Sequence, residues 1–373
     1  MWLIDRRYLH YFDWLSFFIM LVLSAIGLLF VFSATYSPEQ PYTIFFKKQL
    51  FGILTGIIIY FVCCSLDYRT LERVGYFMYF FTLILLVVTI VKGTVGMGAQ
   101  RWINVGFTKF QPAELAKLFF PAFVTYYLST EQQDVGTLKF QNFLPVLFVL
   151  GLSFVLIRMQ PDLGTSLIVL FSGALLLWLA GLSRKFFAIT FLLLCLTAPL
   201  VYASLKPYQK TRIMVFFGGG DSKKERYQIE QSRIAIGSGG LEGKGLLQGT
   251  QNTFNFLPES RTDFIFAVIC EEWGFLGALI ILFLYTVLFI RLFTVIATIK
   301  NFFAQLLALG LIIHIMLSTI INICMVMGLM PIVGIPLPFL SYGVSNLWIS
   351  FASLGWFNSI AMRRFYLSLS AKT

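Results

Sequence analysis

Apolar residues run along this chain in long blocks separated by short polar joints. They follow neither the period of two that marks a half-buried strand nor the narrow stripe of a surface helix. A hydrocarbon core of roughly 30 Å takes about 20 apolar helical residues to cross. Ten blocks reach or approach that length: 14–34, 45–64, 74–92, 112–129, 143–158, 163–181, 186–204, 264–290, 302–328 and 339–361. The fifth is short, stopped by Arg158 and the QPDLG turn at 160–164. The first, beginning near Trp14, is too long for a signal-peptide core and no small-residue cleavage pattern follows it, so it reads as a retained crossing. The pattern predicts an all-α polytopic membrane protein. It forms one domain over 1–373, with ten transmembrane helices and a long extracytoplasmic loop, 205–263, between the seventh and eighth.

Composition agrees and narrows the chemistry. The chain is 58% hydrophobic and 12% charged, with a mean hydropathy of +0.83, which excludes an ordinary soluble domain. Cys63, Cys64, Cys195, Cys270 and Cys324 all lie in apolar blocks without ligand spacing and read as small buried hydrophobes. His10 and His314 are the only histidines, leaving little for a zinc centre or a Ser/His/Asp triad. His314, inside the ninth block, reads as a packed, hydrogen-bonded side chain.

The net charge of +11 is first a question of topology. An even number of crossings puts both termini on one side. That side carries twelve Lys and Arg, against six on the short connections opposite, so the termini are expected to be cytoplasmic. The loop 205–263 holds nine more cations on the far side; a loop this long translocates regardless of charge. Its charge suits a phosphate-bearing ligand or lipid headgroups rather than nucleic acid, a solvated charged loop being the plain alternative. Within it, IAIGSGGLEGKGLLQGTQ (234–251) is glycine-rich, and its N–H groups could cradle an anion, although the segment is not a Walker A motif.

Ionisable groups within the blocks need explaining, because each costs about 2.5–3.5 kcal/mol at mid-bilayer. Asp263 opens the eighth block and Glu271 and Glu272 follow inside it. On a continuous helix Glu271 would lie about 80° around from Asp263 and roughly 12 Å deeper, with Glu272 on the opposite side, so the three cannot share a site. Asp263 reads either as a carboxylate favoured by a helix N-terminus or as a catalytic group beside the basic loop. Glu271 and Glu272 read as buried supports toward the inner half of the bundle. In GMGAQRWINVGFTKFQPAELAK (96–117), Pro112 and Glu114 suit a helix start. Glu114 and Lys117 share a face, where they either neutralise each other or leave Lys117 for a lipid phosphate. Arg101 and Trp102 offer a guanidinium and an amphipathic ring for phosphate, sugar or interface contacts. Asp162 reads as a turn residue, and GLMPIVGIPLPFLSYGVSN (328–346) as broken backbone lining a cavity.

Taken in order, GAQRWI, QPAELAK, QPDLGTS, YQIEQSRIAIGSGGLEGKGLLQGTQ, FLPESRTDFIFAVICEEWGFLG and GIPLPFLSYG resemble the SEDS family of shape, elongation, division and sporulation proteins, over essentially the whole chain. The GTQ after the glycine-rich loop and the short N-terminus look more like the RodA branch than the FtsW branch. The resemblance implies a ten-span peptidoglycan glycosyltransferase of the bacterial cytoplasmic membrane. It would polymerise lipid II on the outer face for cell elongation, carry undecaprenyl pyrophosphate-linked glycan, and work with a class B penicillin-binding protein docked near spans eight and nine. It marks Asp263 as the catalytic residue and implicates Arg101, Trp102, Glu114 and Lys117; Arg212 and Lys244 are further loop cations for the substrate's pyrophosphate. Arg261 stands where the motif often carries His. The resemblance fixes no cofactor, and a divalent cation, Mg or Mn, could aid the leaving group. A lipid flippase, or a scaffold that activates the penicillin-binding protein without chemistry, are the readings from other classes.

Overall fold

A computed structural model describes residues 10–96, 99–104, 106, 109–135, 138–204, 210, 214–215, 223–254 and 256–364. Its helices are α1 (Trp14–Thr35), α2 (Ile44–Ser65), α3 (Tyr68–Lys92), α4 (Pro112–Val135), α5 (Phe140–Met159), α6 (Leu163–Leu179), α7 (Arg184–Ser204), α8 (Lys223–Ser238), α9 (Thr250–Thr253), α10 (Ile265–Ala297), α11 (Phe302–Val326) and α12 (Val344–Arg363). Among the described residues, α1, α2, α3, α5, α10 and α11 are long and apolar enough to cross a membrane, and α6 is apolar but shorter. The molecule is mostly helical and membrane-like. It is not wholly α, because the connection before α4 folds into a three-stranded antiparallel sheet, β1 (Thr94–Gly96), β2 (Ala99–Asn104) and β3 (Lys109–Phe110).

Local signals explain where the helix ends depart from the apolar blocks. α3 begins six residues before its block, at Tyr68, because the Asp67 carboxylate accepts the Arg69 N–H and caps the polar first turn. α5 begins at Phe140 because the Asn142 side chain accepts the Lys139 N–H. The tenth block is not helical until Val344, since Pro and Gly through 331–343 cannot sustain the hydrogen-bond ladder.

The eighth block departs most. Within α10, Gly274 has φ 63° and ψ −161°, a conformation essentially reserved for glycine. It divides Ile265–Trp273 from a second piece of about 23 residues, itself roughly 35 Å long and enough to cross a bilayer. Glu271 and Glu272 precede the break, so they lie on the short piece and not in the inner half of the bundle, correcting the continuous-helix reading. Asp263 is not on the helix either: it sits in the turn leading to Ile265.

α12 packs along α2, α3 along α4, and α10 against α1 and α8. One end of the bundle gathers the sheet, the N-termini of α4, α6, α10 and α12, and the C-terminus of α11. The other carries the turns α2–α3 and α10–α11 and the C-terminus of α12. Cys63, Cys64 and Cys270 are buried as expected, but Cys195 is exposed and Cys324 only half-buried.

Candidate functional site

The broken segment between α11 and α12 organises the polar end of the bundle. Asp263 is half-buried and its turn is held by main-chain contacts on three consecutive residues. Tyr342 donates its N–H to the Arg261 carbonyl at 2.9 Å, Ser341 Oγ donates to the Thr262 carbonyl at 2.6 Å, and Asn322 Nδ2 donates to the Asp263 carbonyl at 2.8 Å. The same Asn322 amide reaches the Ile335 carbonyl at 2.7 Å, tying the broken segment to the Asp263 turn. A Cβ on Gly334 would stand 3.4 Å from Asp263 Oδ2, so a small residue there leaves room beside the carboxylate. The Tyr285 hydroxyl donates to the Pro338 carbonyl, and the Arg261 guanidinium lies 4.0 Å from the centre of the Phe45 ring. Arg261 is thereby turned into a cation–π contact.

Across this segment lie the residues of the 96–117 stretch. β2 carries Arg101 and Trp102, with the guanidinium 4.5 Å over the indole. Arg101 Nη1 is 3.7 Å from Asp162 Oδ1, while Gln111 Nε2 donates to Asp162 Oδ2 at 2.5 Å. Asp162 is more than a turn residue: it is buried, accepts the Thr165 N–H at 3.1 Å as the cap of α6, and joins the sheet to α4. Glu114 and Lys117 form a buried pair at 2.6 Å, and Asn346 Nδ2 donates to Glu114 Oε2 at 3.2 Å. Ser345 Oγ accepts the Gln111 N–H at 3.2 Å. Residues 334–346 thus touch the Asp263 turn on one side and the Gln111 and Glu114 cluster on the other.

The glycine-rich stretch does something else. It forms a strap, 239–249, laid on the break in α10. Lys244 N–H donates to the Glu271 carbonyl at 3.0 Å, Gly245 N–H to that of Glu272 at 2.9 Å, and Phe275 N–H to the Gly240 carbonyl at 2.9 Å. Side chains at Gly239 or Gly243 would collide with the Cys270 or Glu272 carbonyl, so glycine here permits backbone-to-backbone contact. These strap N–H groups bond to helix carbonyls and do not form an anion cradle. Glu271 is fully buried and receives Lys244 Nζ at 2.6 Å, Thr250 Oγ1 at 3.1 Å and the Gln251 N–H at 3.1 Å. Glu272 accepts from Ser33 Oγ at 2.5 Å. The two acids are supports with named partners, and Lys244 is engaged by one of them. Arg212 lies outside the described residues.

Sequence reasoning missed Gln111, Asn322 and Asn346. For Asn322 and Asn346 the available signal was an amide inside an apolar helix, which needs partners at membrane depth; Gln111, just before α4, carried no such signal. His314 is buried as expected, but neither ring nitrogen finds a well-aligned partner, although the Gly310 carbonyl lies close to the ring. Among the described residues no three His, Cys, Asp or Glu side chains gather closely enough to hold a metal ion.

Fold and site together define a polytopic membrane protein whose candidate reaction centre is a carboxylate held against a broken transmembrane segment. The family profile described as "Cell cycle protein" and covering FtsW, RodA and SpoVE matches residues 13–366, and the chain belongs to that family. It is 38% identical over 326 residues to the peptidoglycan glycosyltransferase MrdB of Escherichia coli K12, covering 87% of each chain. It is 36% identical over 353 residues to the stage V sporulation protein E of Bacillus subtilis, covering 92% of this chain and 95% of that one. Among solved structures it is similar to the rod shape determining protein RodA of Thermus thermophilus, with TM-score 0.70, 25% identity and coverage of 95% and 98%. It is also similar to a chain from a study of polymerization and crosslinking by a peptidoglycan synthase complex, with TM-score 0.79, 29% identity and coverage of 95% and 98%.

Proposed function

We propose that this chain is an inverting peptidoglycan glycosyltransferase that polymerises lipid II into β-1,4 glycan on the outer face of the bacterial cytoplasmic membrane. The observation that carries the reading is the Asp263 turn, fixed by three successive main-chain hydrogen bonds to Asn322, Ser341 and Tyr342. Rigid main-chain support is what a general base needs, because geometry within hydrogen-bond reach precedes any question of proton affinity. Asp263 takes the proton of the acceptor GlcNAc 4-hydroxyl as that oxygen attacks C1 of the donor MurNAc. Undecaprenyl pyrophosphate leaves from the opposite side, and one displacement inverts the α-linked donor.

Among the described residues, Arg101, with 24% of its side chain exposed beside Trp102, is a cation placed to stabilise the departing pyrophosphate. Lys117 and Glu114, buried and mutually neutralised, brace the start of α4, and Lys244 braces the strap. The relatives named as peptidoglycan glycosyltransferases support the reaction class, and the synthase-complex neighbour supports a cross-linking partner, a class B penicillin-binding protein. The reading includes one domain with ten crossings, both termini cytoplasmic and the 205–263 segment outside.

Purified Asp263→Asn protein, matched to the parent in folding and partner binding, is expected to form no glycan from labelled lipid II in the presence of a transpeptidase-only partner. Polymer at the parental rate would remove Asp263 as the base. Headgroup movement across vesicles without polymer from the parent protein would instead identify a flippase.

A further inference from the structure

Asn322, which ties the broken segment to the Asp263 turn, is the last of three polar side chains spaced four residues apart on one face of α11, after His314 and Ser318. All are buried, at 3% exposure for His314, 1% for Ser318 and 0% for Asn322. Among the described residues, Ser318 Oγ and Asn322 Oδ1 have no hydrogen-bond partner, and neither His314 nitrogen has a well-aligned one. We propose that this face of α11 binds a chain of ordered water linking the Glu114–Lys117 pair to the Asp263 turn, which makes Ser318 and His314 positioning residues for glycosyl transfer.

The atoms themselves call for a ligand. The Asn322 amide cannot turn round, because its nitrogen is committed to the Asp263 carbonyl at 2.8 Å and the Ile335 carbonyl at 2.7 Å. Its oxygen is thereby fixed as an acceptor in need of a donor. Ser318 does not fold back on its own helix, although Thr319 beside it bonds the Ile315 carbonyl at 2.9 Å in that way. A buried polar atom left without a partner costs about 1–3 kcal/mol, and here such atoms stand in line. Ordered water removes that cost, since a buried water makes about three hydrogen bonds to groups of this kind. Side chains four apart on a helix have Cβ atoms about 5–6 Å from each other, a gap that one water bridges.

The fold places this seam beside the site. α11 packs on α4 and runs opposite to it, because α4 begins and α11 ends at the Asp263 end of the bundle. Gly310 marks the close approach, where a Cβ would stand 2.5 Å from that of Pro121. Four residues from that contact along each helix, His314 meets the level of Lys117, whose charge acts on the imidazole. One more turn brings Ser318 to the level of Glu114. The next reaches Asn322, about 12 Å along the axis from His314.

Leu317 and Ile321, on the adjoining face of α11, pack with Ile168 and Ile335 and give the seam a dry flank. Water held between that flank and α4 passes any shift of the Glu114–Lys117 pair to Asn322, and through its amide to the Asp263 carbonyl. The part played in transfer rests on Asp263 being the base, whereas hydration of the seam does not.

The test compares the full-length protein in lipid nanodiscs with Ser318→Ala, His314→Leu and His314→Gln. Radiolytic labelling in heavy-oxygen water reads the hydration, because hydroxyl radicals arise from water next to the side chain they oxidise. His314 should be labelled although it is buried, and an unlabelled His314 in the parent overturns the hydrated seam. Melting temperature answers by its sign. On a dry face, Ser318→Ala and His314→Leu delete unpartnered polar atoms and raise it; on a hydrated face each lowers it, by about 2 °C. With labelled lipid II and a transpeptidase-only partner, Ser318→Ala should lower kcat about tenfold with KM nearly unchanged. His314→Gln, which keeps a donor and an acceptor, should retain most of the rate that His314→Leu loses. Parental rates in Ser318→Ala and His314→Leu overturn the positioning role, and Ser318→Ala, the smaller truncation, keeps the test decisive if His314→Leu folds poorly. Parental polymerisation by Asp263→Asn would remove the base and the positioning role together, while the labelling of His314 would still decide the hydration.

Discussion

Lys244→Met removes the ammonium that meets Glu271 and leaves the aliphatic stem in place. Glu271 is fully buried and, among the described residues, keeps the Thr250 hydroxyl and the Gln251 N–H as donors. Removing one partner of a buried pair typically costs about 3–5 kcal/mol. Because two donors remain and Lys244 is 26% exposed at its side chain, about 2–3 kcal/mol is expected here. The loss falls on the strap, so local opening should expose the amides of Lys244, Gly245, Phe275 and Leu276, whose acceptors are the Glu271, Glu272, Gly240 and Leu241 carbonyls. Hydrogen exchange at these amides should accelerate about 30- to 150-fold, with little change in the middle of α11. Lys244→Met/Glu271→Met should recover more than half of the loss, because an apolar pair of similar volume removes the unpaired charge. Unchanged exchange in the single variant, or additive losses in the double, would refute the claim that the ion pair holds the strap on the break.

Two further outcomes follow from the same geometry. Gly274→Ala would place a side chain at φ 63° and against the Gly243 nitrogen and the Leu241 carbonyl. It should lower stability by more than about 3 kcal/mol, read as a reduced melting temperature and early proteolysis near the strap. Asn322→Leu leaves the Asp263 and Ile335 carbonyls without their shared donor, at about 1–3 kcal/mol each. Lipid II polymerisation should fall about 10- to 100-fold through kcat with KM nearly unchanged, and a loss confined to KM would count against a positioning role.

The Arg101, Glu114 and Lys117 stretch shows how much of the site sequence could reach. Spacing alone put Glu114 and Lys117 on one face but left open whether they neutralise each other. The structure brings the two together as a buried pair 2.6 Å apart, as expected when a buried ammonium needs a counter-charge. Asp162, by contrast, carried only the local signal of a turn, and its contacts to Arg101 and Gln111 come from elements about 50–60 residues away, which no local pattern encodes.

The sequence by itself determined that the chain is a membrane protein of long apolar helices, which residues are costly enough in that setting to need partners, and which motif Asp263 belongs to. These are properties of composition and near-neighbour spacing, fixed before any helix meets another. Only the tertiary structure decided that the eighth block breaks at Gly274, that Glu271 and Glu272 anchor a strap, and that Asn322, Ser341 and Tyr342 fix the Asp263 turn. The physical reason is the same in each case. A glycine's positive φ and a buried carboxylate's partner are chosen by backbone that approaches from elsewhere in the chain, so the acids of one short stretch acquire separate roles only once that backbone is in place.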